Sequence, residues 1–465
     1  MKKGAFHTAA LLFLFSTAHC QRAFSQEVKV SGQVTDKVGR GLASALVQAA
    51  GRQIRTNRYG AFELALKAGT YRFLVQHPAC EAQAKTLTLQ SDTTIAFVLL
   101  RRTRLSEVVF TASRADAQTP IAYTDVLKKE LEKRNLGQDV PQLLRFTPSV
   151  VSTSDAGAGI GYTQMRIRGS DSRSINITLD GIPLNDSESQ GVFWVDLSDI
   201  ASSTASIQIQ RGVGTSTNGA GAFEASINLL TDKPSDSASF NFDNAFGSFH
   251  SRKHSLRLAT GKLSDHFYFE ARASVIKSDG YIDRARSDLK SYYSSTTYKN
   301  GKSTLRLLAF GGRERTYQAW NGIDEKTLKT NRTYNPSGLY TDRDGKTKFY
   351  DNEIDWYNQD HYQLHLTQHF TTRWKLHAAL YYTYGRGYYE NYKEDQAFAK
   401  YGFQTLEDDG RKIDRTDVIQ RKWLDNHFYG GVFSLRFSPE SGQLVLGGGW
   451  NRYQGAHFGN VQWAR

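Results

Sequence analysis

From Ser235 to Arg465 apolar and polar residues alternate with a period of two, and no other feature limits the possible folds as strongly. Tyr362, Leu364, Leu366 and Phe370 fall on one side of a strand, with Gln363, His365, Thr367 and His369 on the other. Leu376, Ala378, Leu380, Tyr382 and Tyr384 repeat the pattern against Lys375, His377, Ala379, Tyr381 and Thr383. Successive side chains of a strand point to opposite faces, so these runs predict strands with one apolar side. A soluble sandwich alternates as well. Strands of about ten residues, aromatics near strand ends, and alternating short and long connections favour a transmembrane barrel. The predicted strands lie near 239–247, 252–260, 266–276, 291–299, 302–312, 362–370, 375–384, 426–437 and 442–453. Gly261–Asp265, Asn300-Gly301 and Thr371–Arg373 are the short turns; Arg313–Gln359 and Gly385–Asp425 read as long loops.

Composition removes several other classes. Hydrophobic residues make up 39% of the 465, and no apolar run approaches the roughly 20 residues of a membrane-spanning helix. With 24 Tyr, 26 Phe and 39 Gly the chain is a turn-rich β protein and not a disordered one. Two cysteines cannot build a disulfide framework. The net charge of +13 is spread among carboxylates with no Lys/Arg block, which argues against nucleic acid as a partner. Attraction to an anionic ligand or lipid head group is compatible with it.

Lys2 and Lys3, the apolar stretch Ala9–Phe15 and small residues up to Ser25 form a secretory signal peptide, 1–25. Residues 27–100 follow as short strands at 28–34, 45–49, 53–56, 61–66, 70–75 and 94–100. Asn57-Arg58-Tyr59-Gly60 and Lys67-Ala68-Gly69 supply turns, and the whole predicts a β-sandwich of about seven strands. Cys80 reads as a small core residue. Gly32-Gln33-Val34-Thr35-Asp36, Gly60-Ala61-Phe62 and Gly69-Thr70-Tyr71 resemble the carboxypeptidase regulatory-like module, an accessory domain. No zinc-protease His-Glu motif accompanies it, so no peptidase is implied.

Residues 105–114 are β-prone, and an unpaired strand there can be captured by a partner sheet. Beyond Pro120, Asp125 is placed to cap a helix carrying Leu127 and Leu131, and Asp139 to cap a second with Pro141 in its first turn. Strands are expected at 164–168, 175–179, 182–184, 206–210 and 224–230, with Asp180-Gly181 as a two-residue hairpin. Pro141-Gln142-Leu143-Leu144, Met165-Arg166-Ile167-Arg168-Gly169 and Thr178-Leu179-Asp180-Gly181-Ile182-Pro183-Leu184 occur in this order. Ile209-Gln210-Arg211-Gly212 and Ile227-Asn228-Leu229 continue the series, and together they resemble the plug of TonB-dependent outer-membrane receptors of the Bacteroidetes type. The fold expected is therefore mainly β: a small sandwich, an α/β plug over 118–233 and an incomplete antiparallel barrel over 235–465. Such receptors close with about 22 strands, whereas nine are read here, so the chain is expected to be the N-terminal part of a longer receptor.

The resemblance places the TonB box at Glu107, Val108, Val109, Phe110, Thr111 and Ala112. It implies TonB, with ExbB and ExbD, as partners, outer-membrane lipid as surroundings, and a scarce solute captured from outside. An iron chelate such as a ferric siderophore is the expected cargo. A glycan importer of the starch-utilisation type, or a non-transporting signalling receptor or adhesin, are the alternatives. Tyr317, Trp320, Tyr388 and Tyr389 are the candidate ligand contacts, as aromatics read in long loops. No enzyme, cofactor or metal is expected. His361, His365 and His369 share a strand face but are spread over too great a length to share one ion. Gly301-Lys302-Ser303-Thr304 lacks the first glycine of a P-loop. Gly157-Ala158-Gly159-Ile160-Gly161 fails the dinucleotide spacing and reads as a flexible plug loop.

Overall fold

In the strand Ile354–His369 the polar side is the buried one: Gln363 is 2% exposed and His365 7%, against 44% for Tyr362 and 39% for Leu364. This is the reverse of a soluble sandwich and decides between the two alternating folds, because leucines and tyrosines turned outward need lipid. The computed structural model describes residues 27–36, 39–77, 80, 82–99, 114–115, 119–214, 223–439 and 442–465. The segments 1–25 and Glu107–Ala112, read above as signal peptide and TonB box, lie outside them. Two compact units divide the chain, residues 1–106 and 107–465.

The first unit is a sandwich of two sheets. Its strands are β1 (Glu27–Asp36), β2 (Leu46–Ala49), β3 (Arg52–Arg55), β4 (Ala61–Lys67), β5 (Gly69–Gln76), β6 (Gln83–Leu89) and β7 (Thr93–Leu99). They order as β4-β1-β7 and β3-β2-β5-β6, with β1 and β7 parallel. Val30, Val34, Phe73, Val75, Phe97 and Leu99 fill the space between, and Cys80 is buried with them. Strand β6 is the one with no counterpart in the sequence reading. It is an edge strand of mostly exposed residues, so it carries little hydrophobic alternation.

The second unit begins with the plug. Strand β8 (Ala122–Leu127) leads into α1 (Lys128–Arg134) and α2 (Val140–Leu143). Strands β9 (Val150–Ser154), β10 (Thr163–Ile167), β11 (Ile175–Leu179), β12 (Ile182–Pro183), β13 (Thr204–Arg211) and β14 (Ala225–Thr231) follow. The plug sheet runs β12-β11-β14-β13-β8, while β9 and β10 pair separately. Asp180-Gly181 makes the expected tight turn, both residues at positive φ (51° and 84°), with Leu179 opposite Ile182.

Two caps are not made as expected. Asp125 lies inside β8, where its carboxylate takes Arg114 at 2.6 Å, and Leu127 occupies the N-cap of α1. The β-propensity of the 122–127 segment and its pairing with β13 prevail over a helix start there. Asp139 does precede α2, but its side chain accepts from the Thr163 hydroxyl (3.1 Å) and not from the helix. The glycine loop at 157–161 is packed, not free: Ile160 is buried and the Gly159 carbonyl accepts from the Asp139 amide at 3.0 Å.

Nine antiparallel strands wrap the plug in chain order. They are β15 (Ala238–Phe246), β16 (Arg252–Leu263), β17 (Phe267–Ser278), β18 (Ser287–Lys299), β19 (Ser303–Tyr317), β22 (Ile354–His369), β23 (Trp374–Ala397), β26 (Arg415–Phe437) and β27 (Leu444–Ala464). The small hairpins β20 (Leu339–Thr341) with β21 (Thr347–Phe349), and β24 (Leu406–Asp408) with β25 (Arg411–Ile413), sit in the long connections, as does α3 (Glu325–Thr330). Connections at 264–266, 300–302, 370–373 and 438–443 are short; those at the other end, 318–353 and 398–414 above all, are long. The long end is the extracellular one by the usual rhythm of outer-membrane barrels. The strands exceed the expected length: β23 and β26 take in most of 385–425, which the sequence places in a loop.

Plug and wall share one hydrophobic core, in which Tyr293, Leu308 and Phe310 of the wall meet plug residues such as Ile177, Ile207 and Ile227. They also share a polar seam. Asp199 of the plug receives Lys253 at 2.5 Å and Arg272 at 2.7 Å, all three buried. Asp232 takes Arg257 at 2.6 Å together with Lys128, and Asp180 takes Arg306 at 3.5 Å. Much of the wall's inward positive charge is thus matched by plug carboxylates, a use of the net charge that composition alone could not separate from attraction to an anionic ligand.

Candidate functional site

At the long-connection end, plug and wall enclose a cavity of about 1070 Å³. The plug contributes Tyr162, Phe193 and Asp196; β19 and β22 contribute Glu314, Asp355 and Tyr357; β23, β26 and β27 contribute Tyr388, Tyr389, Trp423 and Phe458. Trp320 and Phe403 reach in from the long connections. The rings fall into two groups. Tyr162 and Trp320 lie 5.2 Å apart, Trp320 meets Tyr389 edge-on at 6.1 Å, and Tyr388 approaches Trp423 at 4.6 Å. Trp423 in turn stacks with Phe458 at 5.8 Å and 5°. Flat apolar walls with a few fixed polar groups are the general build of a small-molecule site.

Strand alternation explains the arrangement. Tyr388, Trp423 and Phe458 are aligned across three neighbouring strands, Tyr388 opposite Trp423 and Trp423 opposite Phe458, so their rings form a ladder on the face of the wall that Trp356 shares, while Tyr389, opposite Asp355, lies on the other face. Glu314 and Asp355 come from adjacent strands, where Glu314 faces Tyr357 and Thr316 faces Asp355. Asp196 belongs to the turn Trp194–Leu197, which lies against β19 at Gly312. A Cβ on Gly312 would stand 2.1 Å from the Asp196 carbonyl oxygen. Only glycine allows that approach.

Acids make up the floor. The Tyr162 hydroxyl lies 2.5 Å from Asp355 Oδ2 and 3.2 Å from Glu314 Oε1. Burial, then the nearby Asp355 and Asp186 carboxylates, push the Asp196 carboxyl well above the usual range. Burial, followed by Glu314, Asp355 and Asp196, likewise pushes the Tyr162 phenol up. Basic residues line the sides and are paired away from the floor acids. Arg421 pairs with Glu390 at 2.6 Å and lies 4.2 Å over the Tyr388 ring, while His457 meets Glu188 at 2.8 Å.

Three of the four sequence-predicted contacts, Trp320, Tyr388 and Tyr389, line this cavity. The two tyrosines do so from strand β23 and not from a loop. Tyr317 is placed otherwise: it is buried at the end of β19, and its hydroxyl lies 2.9 Å from the Tyr350 carbonyl oxygen and 3.2 Å from that of Ser337. It anchors the 318–353 connection. His361 and His365 face the plug side, with His361 stacked on Phe310 at 4.6 Å. Among the described residues no three metal-ligating side chains converge. Sequence reading missed Tyr162, Phe193, Asp196, Glu314, Asp355, Trp423 and Phe458. Glu314, Asp355 and Trp423 fall in segments it assigned to loops, where strand register could not be applied.

Residues 115–226 match the TonB-dependent Receptor Plug Domain, and residues 29–100 the Carboxypeptidase regulatory-like domain. The chain carries a TonB-dependent receptor plug within a receptor-type strand wall. Among curated proteins, the probable TonB-dependent siderophore receptor PirA of Acinetobacter baumannii is 26% identical over 137 residues, 27% of this chain and 18% of that one. Among solved structures, the ferric preacinetobactin receptor BauA of A. baumannii matches with a TM-score of 0.56 at 11% identity, over 74% of this chain and 48% of that one. The ferric-catecholate import receptor Fiu of E. coli K12 matches with 0.52 at 14% identity, over 72% and 49%. At such identities the structural likeness is one of fold. The chain spans about half the length of these solved receptors. Its nine-stranded wall shares the fold of these receptors, and no described helix is long and apolar enough to cross a membrane. The families and structures it matches are those of transport receptors and not of enzymes.

Proposed function

We propose that the whole receptor takes up a scarce solute, a ferric siderophore or other iron chelate, across the outer membrane in a TonB-dependent manner. The observation that carries this reading is the ring-lined cavity at the long-connection end, with the plug turn Trp194–Leu197 in its floor. A ligand captured there touches plug and wall at once, so binding can bias the plug without the ligand passing it. The names of two relatives, a probable siderophore receptor for PirA and a ferric preacinetobactin receptor for BauA, support the choice of cargo. Glu107–Ala112 is the segment through which the periplasmic TonB protein, energised by ExbB and ExbD, would add a strand and pull.

Uptake of radiolabelled iron by iron-starved cells, with and without the gene, tests the reading. Loss of uptake of a ferric chelate on deletion, restored by the gene in trans, is expected. Unchanged iron uptake together with induction by a polysaccharide would replace it with the glycan-importer alternative.

A further inference from the structure

The floor of the cavity gathers three buried acids, and no cation of the protein's own is paired with them. Asp196, Glu314 and Asp355 all line it, at 3%, 1% and 9% exposure. Tyr162 stands within hydrogen-bonding distance of both Glu314 and Asp355, yet a phenol has one proton to give. One of these two carboxylates therefore faces the phenolic oxygen without a donor from it. The third acid adds an independent sign. Asp196 comes from the plug, and its buried Oδ1 has no hydrogen-bond partner in the structure. Buried carboxylate oxygens without a partner are costly, by more than a neutral hydrogen bond returns.

The surrounding cations do not answer that need. Arg421 is held by Glu390, and Lys400 donates to Gln396 Oε1 at 2.9 Å. Lys422 lies over the Tyr389 ring at 5.6 Å, and His457 is engaged by Glu188. Among the described residues no ion pair reaches any of the three floor acids within 4.0 Å. A bare metal ion is not the answer either, because among the described residues no three ligating side chains converge closely enough to hold one. An ammonium group suits the spacing better. It offers three N–H donors at hydrogen-bond distances, longer than metal–oxygen bonds, and aromatic rings beside it add cation–π attraction. Tyr162 and Trp320 stand next to the floor for that purpose.

We propose that the cavity receives the cationic end of its ligand, a protonated amine, on the floor formed by Asp196, Glu314 and Asp355, with the rest of the ligand against the aromatic walls. This rests on the reading of the cavity as the ligand site, and it narrows the cargo to molecules with a protonated amine at the inserted end. The positive net charge of the chain points the other way, toward anions; the site itself does not.

Two small probes that differ only at the amine test it: tyramine, a protonated aromatic amine, and tyrosol, in which a hydroxyl replaces the ammonium. Binding to the detergent-solubilised receptor is followed by tryptophan fluorescence, since Trp320 and Trp423 line the cavity. Tyramine is expected to bind roughly tenfold or more tightly than tyrosol, the gain of a hydrogen-bonded charge over a neutral group. Asp196→Asn is expected to shrink that ratio about tenfold, and Glu314→Gln to shrink it as well. Taking the ratio within each variant removes the effect of any loss of folded protein. Equal binding of the two probes, no binding of tyramine, or a ratio unmoved by both substitutions would overturn the proposal. Neither probe contains iron. A tyramine preference that persists while iron uptake proves independent of the gene would remove the iron-chelate reading alone.

Discussion

Asp199 shows how one residue can hold plug to wall. Its backbone lies in the left-handed region (φ 56°), and its carboxylate meets Lys253, Arg272, Ser202 and Ser274 in a site closed to solvent. Burial alone would raise its pKa, but Arg272 and Lys253 outweigh it and hold the group below the usual carboxylate range. Asp199→Asn leaves two buried cations without their counter-charge, and a loss of about 3–5 kcal/mol is expected, read as a lower thermal midpoint in detergent. Because the folded pKa is depressed, this stabilisation is present above the unfolded value and is lost as pH falls through the folded one. Acid should therefore loosen the seam only below the ordinary aspartate range. Asp139 behaves in the opposite sense. Burial raises its carboxyl to about 8 against the hydrogen bonds from Thr163 and Gly161. The native plug holds that proton from roughly pH 4 to pH 8 while the unfolded chain releases it, so stability declines as pH rises through this window. Asp139→Asn removes the titration and keeps an acceptor for Thr163. Its stabilising effect should grow between pH 4 and pH 8, and a melting difference that is the same at both would contradict the assignment.

Among the elements, β19 brings wall and plug into close approach at Gly312. Gly312→Val would drive the Trp194–Leu197 turn off the wall, and hydrogen exchange in that turn should accelerate while exchange in β11 and β14 stays slow. Unchanged exchange at 194–197 would show that the turn is held by other contacts. The neighbouring strand β22 shows why the site was only partly legible in the sequence. Alternation at Tyr362–Leu366 was plain, since one face is apolar and the other polar. Beyond the lipid-facing band, however, strands β22, β23 and β26 run on with polar and aromatic residues on both sides, because neither side meets lipid there. Period two fades, and Glu314, Asp355, Tyr388 and Trp423 look like loop residues. Strand β8 was missed for a different reason: Asp125 before Leu127 and Leu131 imitates a capped helix, and only pairing with β13 shows otherwise. Trp320 was found from its residue type alone, and Tyr317 shows the limit of that guide, since a buried tyrosine can serve a loop as well as a ligand.

For the molecule as a whole, the sandwich, the plug and the strand wall were all visible in linked motifs and alternation, because each is built from local patterns. What could not be read was complementarity between distant segments: plug carboxylates against wall cations, and three acids brought from residues 196, 314 and 355 to one floor. In the proposed function a ligand on that floor would touch the plug turn, and the Glu107–Ala112 segment would be the one that TonB pairs with. The most direct test of this account separates binding from uptake. Val109→Pro removes one backbone donor from the segment and leaves the cavity untouched. The account predicts that cells carrying it still bind the ferric chelate at their surface but accumulate none. Uptake at the unmodified rate would contradict it.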